Sequence, residues 1–189
     1  MSGQRRNLLS PEEYLALERA AEYKNEYHEG EMFAMSGASR QHSTLMLNIA
    51  FALRSRLRGR CTVFSSDMRV QMANARTFVY PDVSVACGEP RFRDDAFDTL
   101  LNPAVVVEIL SRSTEAYDRG LKSENYRKIA SLHTYILISQ DRFHVEVFFR
   151  NEAGSWTLTE ADGKEAAVEI PGVGLRIPME EIYEDVSFD

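Results

Sequence analysis

The spacing of apolar positions divides the chain into helical and extended stretches. Ser10-Pro11-Glu12-Glu13 has the form of a helix start, with Ser10 as N-cap, Pro11 at the first helical position and Glu13 completing a capping box. Leu9 and Tyr14 are placed for a hydrophobic staple, and the helix is expected to run to about Tyr23. Glu26 to Met35 reads as extended chain turning near Glu29-Gly30. The period is helical again from about Arg40 to Leu57, where Leu45, Ile49 and Leu53, with Met46 and Ala50 beside them, form an apolar stripe. Cys61 to Met72 and Phe78 to Cys87 read as a pair of strands joined by Ala73-Asn74-Ala75-Arg76, and Gly88 to Asn102 as an irregular polar loop. Ala104 to Leu110 is a continuous apolar run of the kind buried on both faces. Ser111 to Thr114 supply caps for a helix of about Ala116 to Ser131, and strands follow at Thr134 to Ser139 and Phe143 to Phe149. A last hairpin, Ser155 to Glu160 with Ala166 to Ile170 around Asp162-Gly163, and a short helix at Met179 to Glu184 complete the order. Three strands, a crossover helix and further strands predict an α/β (α+β) fold, a mixed central β-sheet flanked by helices. With no repeat, low-complexity tract or linker, the 189 residues are expected to form a single domain, 1–189.

Glu108 breaks the pattern. It sits inside the apolar run Val105-Val106-Val107-Glu108-Ile109-Leu110, where an unpaired carboxylate costs several kcal/mol or gives up its charge. A metal, a cation or water in a cleft must compensate. Asp82 lies 26 residues earlier in the similarly apolar run Tyr80-Pro81-Asp82-Val83-Ser84-Val85. Pro81 interrupts the ladder and favours an edge or bulge, which can aim Asp82 at a cleft. Two acids on neighbouring strands, with the Ile109 carbonyl as a further oxygen, make a donor set suited to Mg²⁺, with Mn²⁺ as a substitute. Edge-strand exposure for Asp82 and a core ion pair for Glu108 are the bland alternatives. Lys122 follows Glu108 by 14 residues and shares a helical stripe with Tyr126, Ile129 and Ala130, so it either snorkels to solvent or reaches the acids. A lysine beside two metal-binding acids points to phosphodiester chemistry.

Composition narrows the partners. The net charge of −7 opposes broad, non-specific phosphate binding but leaves room for local basic patches. Arg54, Arg56, Arg58 and Arg60 cluster at one helix end and Arg91 and Arg93 follow a turn, and each group also reads as solvated surface. No segment reaches the roughly 18 apolar residues that span a membrane. Basic residues in Met1 to Asn7 are not followed by an apolar run, so no secretion signal is expected. Cys61 and Cys87 read as reduced core thiols of a cytoplasmic protein. His28, His42, His133 and His144 show no zinc spacing, and neither a GxSxG elbow nor a phosphate loop occurs.

Taken together, these motifs resemble the Uma-type restriction endonuclease family of the PD-(D/E)XK phosphodiesterase superfamily, along nearly the whole chain. The carriers are Tyr80-Pro81-Asp82-Val83-Ser84-Val85, Val106-Val107-Glu108-Ile109-Leu110-Ser111 with Ser113-Thr114, and Asp118-Arg119-Gly120-Leu121-Lys122 leading to Tyr126. Glu26-Tyr27-His28-Glu29-Gly30-Glu31, with His42 opening the next helix, resembles the family's amino-terminal pattern. The resemblance implies a restriction-endonuclease-like sheet flanked by helices, Mg²⁺-dependent hydrolysis of DNA and a homodimer. It maps the superfamily's amino-terminal acid to Glu26, with Glu29 as the lesser candidate, and Asp67 is a further acid to place. The lysine expected two residues after the glutamate is Leu110 here, and Lys122 is the residue available to replace it from the helix.

Two functions of different class follow. One is a metal-dependent DNA endonuclease with Asp82, Glu108 and Lys122 at its centre and Glu26 assisting through water. The other is a catalytically inactive nuclease-fold module that binds nucleic acid or protein, its carboxylates serving only as pairing residues.

Overall fold

The computed structural model describes residues 8–111 and 113–188; the amino-terminal stretch read for a secretion signal, 1–7, lies outside them. Helix α1 (Pro11–Ala20) starts as its sequence dictates. The Glu13 amide donates to Ser10 Oγ at 3.2 Å and the Ser10 amide to Glu13 Oε2 at 2.7 Å. The helix stops short of Tyr23 because Glu18 turns its buried carboxylate onto the Asn25 amide, 2.9 Å away. Strands β1 (Asn25–His28) and β2 (Glu31–Ala34) then form a hairpin. Its turn uses Glu29 and Gly30, both with positive φ; a side chain at Gly30 would run into Leu8.

Helix α2 (Arg40–Arg56) buries Leu45, Ile49, Ala52 and Leu53. After it come β3 (Cys61–Ser65), β4 (Arg69–Gln71), β5 (Thr77–Val79) and β6 (Val83–Cys87). The expected pair of long strands is present but bent in the middle. β3 pairs with β6 in one sheet, and β4 pairs with β5 in another. Pro81 lacks the donor that would continue the ladder, so the chain changes sheets at Tyr80-Pro81-Asp82.

The loop at 88–102 is less irregular than expected, since β7 (Thr99–Leu100) adds to β4 in parallel. β8 (Val105–Leu110) follows as the central, fully buried strand. The expected continuous helix at 116–131 is broken. α3 (Glu115–Tyr117) passes into a π-helical segment, Asp118–Lys122, in which Gly120 leaves helical geometry (φ −96°, ψ −107°), and α4 (Ser123–Tyr126) ends early. β9 (Thr134–Ser139) lies parallel to β8, and β10 (His144–Arg150) and β11 (Trp156–Asp162) extend the sheet antiparallel. The last hairpin pairs differently from expectation. β11 joins β10, while β12 (Ala167–Ile170) pairs with β13 (Leu175–Pro178) ahead of α5 (Met179–Ile182).

The central sheet has the order β11-β10-β9-β8-β6-β3, and a second sheet runs β2-β1-β5-β4-β7. One face of the central sheet packs Val105, Val107 and Ile109 against α2 and α5. The other packs Val106 and Leu110 with Tyr126, Ile129, Leu132 and the β4-β5 side chains. Alternation along β8 puts Glu108 on this second face. Cys61 and Cys87 stand opposite each other on β3 and β6 and form a disulfide, which corrects the expectation of reduced thiols. Sequence spacing carried no sign of this, because the two positions meet only through the strand register.

Candidate active site

The register Val83↔Val107 on β6 and β8, extended by one residue, sets Asp82 across from Glu108. The β6–β8 ladder ends there, and Asp82 Oδ2 accepts the Ile109 amide at 2.7 Å. Amide and carbonyl of one strand residue face the same edge, so the Ile109 carbonyl also looks toward Asp82. Asp82 Oδ1 lies 2.7 Å from Nε2 of His42, which is brought there by the first turn of α2 behind the Ser39 N-cap.

Glu108 is nearly fully buried, and Tyr126 OH donates to its Oε1 at 2.9 Å. Lys122 Nζ meets the same oxygen at 2.9 Å. The lysine also lies 3.2 Å from Glu26 Oε1 and 3.6 Å from Asp118 Oδ1. Glu26 arrives from β1 of the second sheet, and its Oε1 accepts the Tyr80 amide at 3.2 Å. The helical stripe that placed Lys122 and Tyr126 on one sheet-facing side therefore holds, although the helix carrying them is broken.

Thus the structure brings Asp82, Glu108 and Lys122, singled out by their sequence setting, together with Glu26, singled out by the family resemblance. Ile109 joins through its backbone, and His42 stands directly against Asp82. Glu29 does not join; it pairs with Arg76 in the β1–β2 turn. Asp67 is 84% exposed and pairs with Lys24. Leu110 packs in the apolar cluster on Glu108's own face, so the cation comes from the π segment in its stead. Asp118 was missed as a site acid. Its sequence signals are its place at the head of the Asp118-Arg119-Gly120-Leu121-Lys122 motif and the i, i+4 spacing to Lys122, which many exposed helix acids share.

The electrostatics are unbalanced. Burial pushes the Glu108 carboxyl well up, and Asp118, Asp82 and Glu26 add to that, against the opposing charge of Lys122. Burial likewise raises Asp118. Burial alone would discharge Lys122, but Glu108, Glu26 and Asp118 outweigh it and hold the ammonium well above its ordinary range. Three carboxylates thus surround one lysine, a fourth, Asp82, lies beside them, and His42 is the only other ionisable base touching the four among the described residues. Tyr126 and Lys122 both use Oε1 of Glu108; among the described residues, no hydrogen bond is made to Oε2. A surplus of hard oxygen donors with an open carboxylate oxygen fits a hard divalent cation.

A second charged group lies beside the π segment. Arg119 pairs with Glu146 and, at 2.8 Å, with Glu115. His144 Nε2 is 3.1 Å from Glu146 and its Nδ1 is 2.7 Å from Asp162. Atoms of His144, Glu146 and Glu160 lie within 4.8 Å of one another, but Glu146 is already engaged by the guanidinium.

The mixed sheet, its flanking helices and the strand-borne acids define a restriction-endonuclease-like fold. The chain belongs to the Uma2 family, described as "Putative restriction endonuclease", whose sequence profile matches residues 11–180. It is 35% identical over 181 residues to the uncharacterized protein slr1290 of Synechocystis sp., covering 95% of this chain and 94% of that one. It is 36% identical over 163 residues to the uncharacterized protein sll1609 of the same organism, covering 86% and 92%. A crystal structure from Anabaena variabilis, described as "a putative nuclease belonging to DUF820", shares the fold with a TM-score of 0.75 at 19% identity, covering 93% of this chain and 97% of that one. Among the described residues no helix is long and apolar enough to cross a membrane.

Proposed function

We propose that this chain is a metal-dependent endonuclease that hydrolyses phosphodiester bonds in DNA, working with Mg²⁺ or Mn²⁺. The observation that carries the reading is Lys122 Nζ, held 2.9 Å from Glu108 and 3.2 Å from Glu26, beside an acid cluster short of positive charge. Asp82 and Glu108 are the proposed ligand side chains, with the Ile109 carbonyl as a backbone donor. A divalent cation bound there polarises the phosphate and lowers the pKa of bound water. Asp82 is oriented for the task by two partners, the Ile109 amide and His42. Tyr126 fixes the Glu108 carboxylate. Lys122, protonated among its acids, orients the attacking water and meets the charge that grows on the phosphorane oxygens. Glu26 completes the lysine's cage and holds water on the side of the second sheet. A homodimer is carried over from the family resemblance alone.

The competing reading is an inactive nuclease-fold module. Leu110 at the usual lysine position and the internal pairing of Lys122 favour it. Incubation of wild-type protein and Glu108→Ala with supercoiled and single-stranded DNA, with and without Mg²⁺ or Mn²⁺, separates the two. Metal-dependent cleavage lost in the variant is expected. Intact DNA in every form, from a folded wild type, would sink the endonuclease reading.

A further inference from the structure

One exposed ring lies next to this site without a structural duty. Phe33 stands directly across the β1–β2 ladder from Glu26. Opposed residues of an antiparallel pair share a face, with Cβ atoms about 5 Å apart. The neighbouring pair, Tyr27 and Met32, takes the opposite face and packs with Tyr14 and Phe78. Phe33 is left 52% exposed on the face of the site acid, with Met35 36% exposed beside it. Among the described residues, β2 is also the outermost strand of its sheet. A second ring lies near the same acid: Tyr117, half-buried, has its centroid 5.9 Å from Lys122 Nζ, and Lys122 touches Glu26.

Apolar burial at Phe33 contributes little to the fold, and a polar residue would serve the edge strand better. The electrostatics indicate what the ring is for. A net charge of −7 and four site carboxylates give a phosphate backbone little general attraction. Outside the local arginine patches, binding gains from a contribution other than counter-ion release. Aromatic faces supply it by stacking on bases, whatever the sequence, but only on bases that are not already stacked and paired in a duplex.

Resting on the endonuclease reading, we propose that Phe33 is a stacking platform for an unpaired base flanking the scissile phosphate, which makes single-stranded DNA the preferred substrate class.

The test is binding of a labelled oligothymidylate of about 16 nucleotides, and of a duplex of equal length, with Ca²⁺ replacing Mg²⁺. The wild-type protein is expected to hold the single strand more tightly than the duplex. Phe33→Ala should weaken the single strand about tenfold, Phe33→Tyr should retain it, and an abasic strand should erase the difference between the two variants. Wild-type protein that binds no single strand, or a Phe33→Ala protein that binds it unchanged, overturns the proposal. A change in oligomeric state in Phe33→Ala also overturns it, because the ring would then cover a second copy of the chain. Binding through Phe33 without cleavage would refute the endonuclease reading and leave the platform standing. Cleavage with an unchanged KM for single strands in Phe33→Ala would do the reverse.

Discussion

Glu108 was legible as a candidate site residue because its apolar neighbours leave its carboxylate in need of a partner. A carboxylate between Val107 and Ile109 on a strand buried on both faces must find a cation, and Lys122 is that cation. Asp118 was illegible for the opposite reason, since an acid in the first turns of a helix usually faces water. The raised Glu108 carboxyl has a consequence for the metal-free protein. As pH rises through the ordinary range near 4.5, the unfolded chain releases its proton first, while the folded chain retains it. Stability therefore falls with rising pH until the raised native value is passed. Glu108→Gln keeps the shape and removes this slope, so in chelator it should be more stable than wild type at pH 7, by about 1 kcal/mol, with no gain near pH 4. Thermal melts at the two pH values check this; a less stable variant at pH 7 would mean that Glu108 is ionised and paired. At the same scale, Lys122→Gln is expected to lower kcat about 100-fold in a cleavage assay while the protein still takes up metal.

The element that matters most is the π segment Asp118–Lys122. The helical stripe of Lys122 and Tyr126 was readable in the sequence, but the break at Gly120 was not, because a lone glycine is tolerated in many helices. The bent hairpin is a similar case. Pro81 marked a disturbance, but only the register reveals that 61–72 and 78–87 each divide between two sheets, which is what brings Glu26 to Glu108. The π segment is tied down from outside by Arg119, whose guanidinium reaches Glu146 on β10 and Glu115 on α3. Arg119→Ala should loosen the segment. Amide exchange is expected to rise across 115–126, and cleavage to fall with the metal affinity unchanged. Unaltered exchange there would mean that the lysine is positioned by its acid partners alone.

At the scale of the whole molecule, two sheets meet at Tyr80-Pro81-Asp82, and the site is their seam. The disulfide between Cys61 and Cys87, 26 residues apart, staples the outermost strand of the central sheet to β6, whose other end leads back to Asp82. A bridge of this kind contributes about 2–4 kcal/mol. Reductant, or Cys61→Ser with Cys87→Ser, is expected to lower Tm by several degrees in calorimetry; an unchanged Tm would restore the reading of independent thiols. The central claim concerns the seam itself: acids from both sheets hold one lysine and lack a second cation. Calorimetric titration of Mn²⁺ at pH 7, in two buffers of different ionisation enthalpy, tests it directly. Wild type is predicted to bind the ion with release of protons from the raised carboxyls, and Asp82→Asn and Glu108→Gln to lose that binding while remaining folded. A wild type that takes up no Mn²⁺, or variants that bind it as wild type does, would contradict the account.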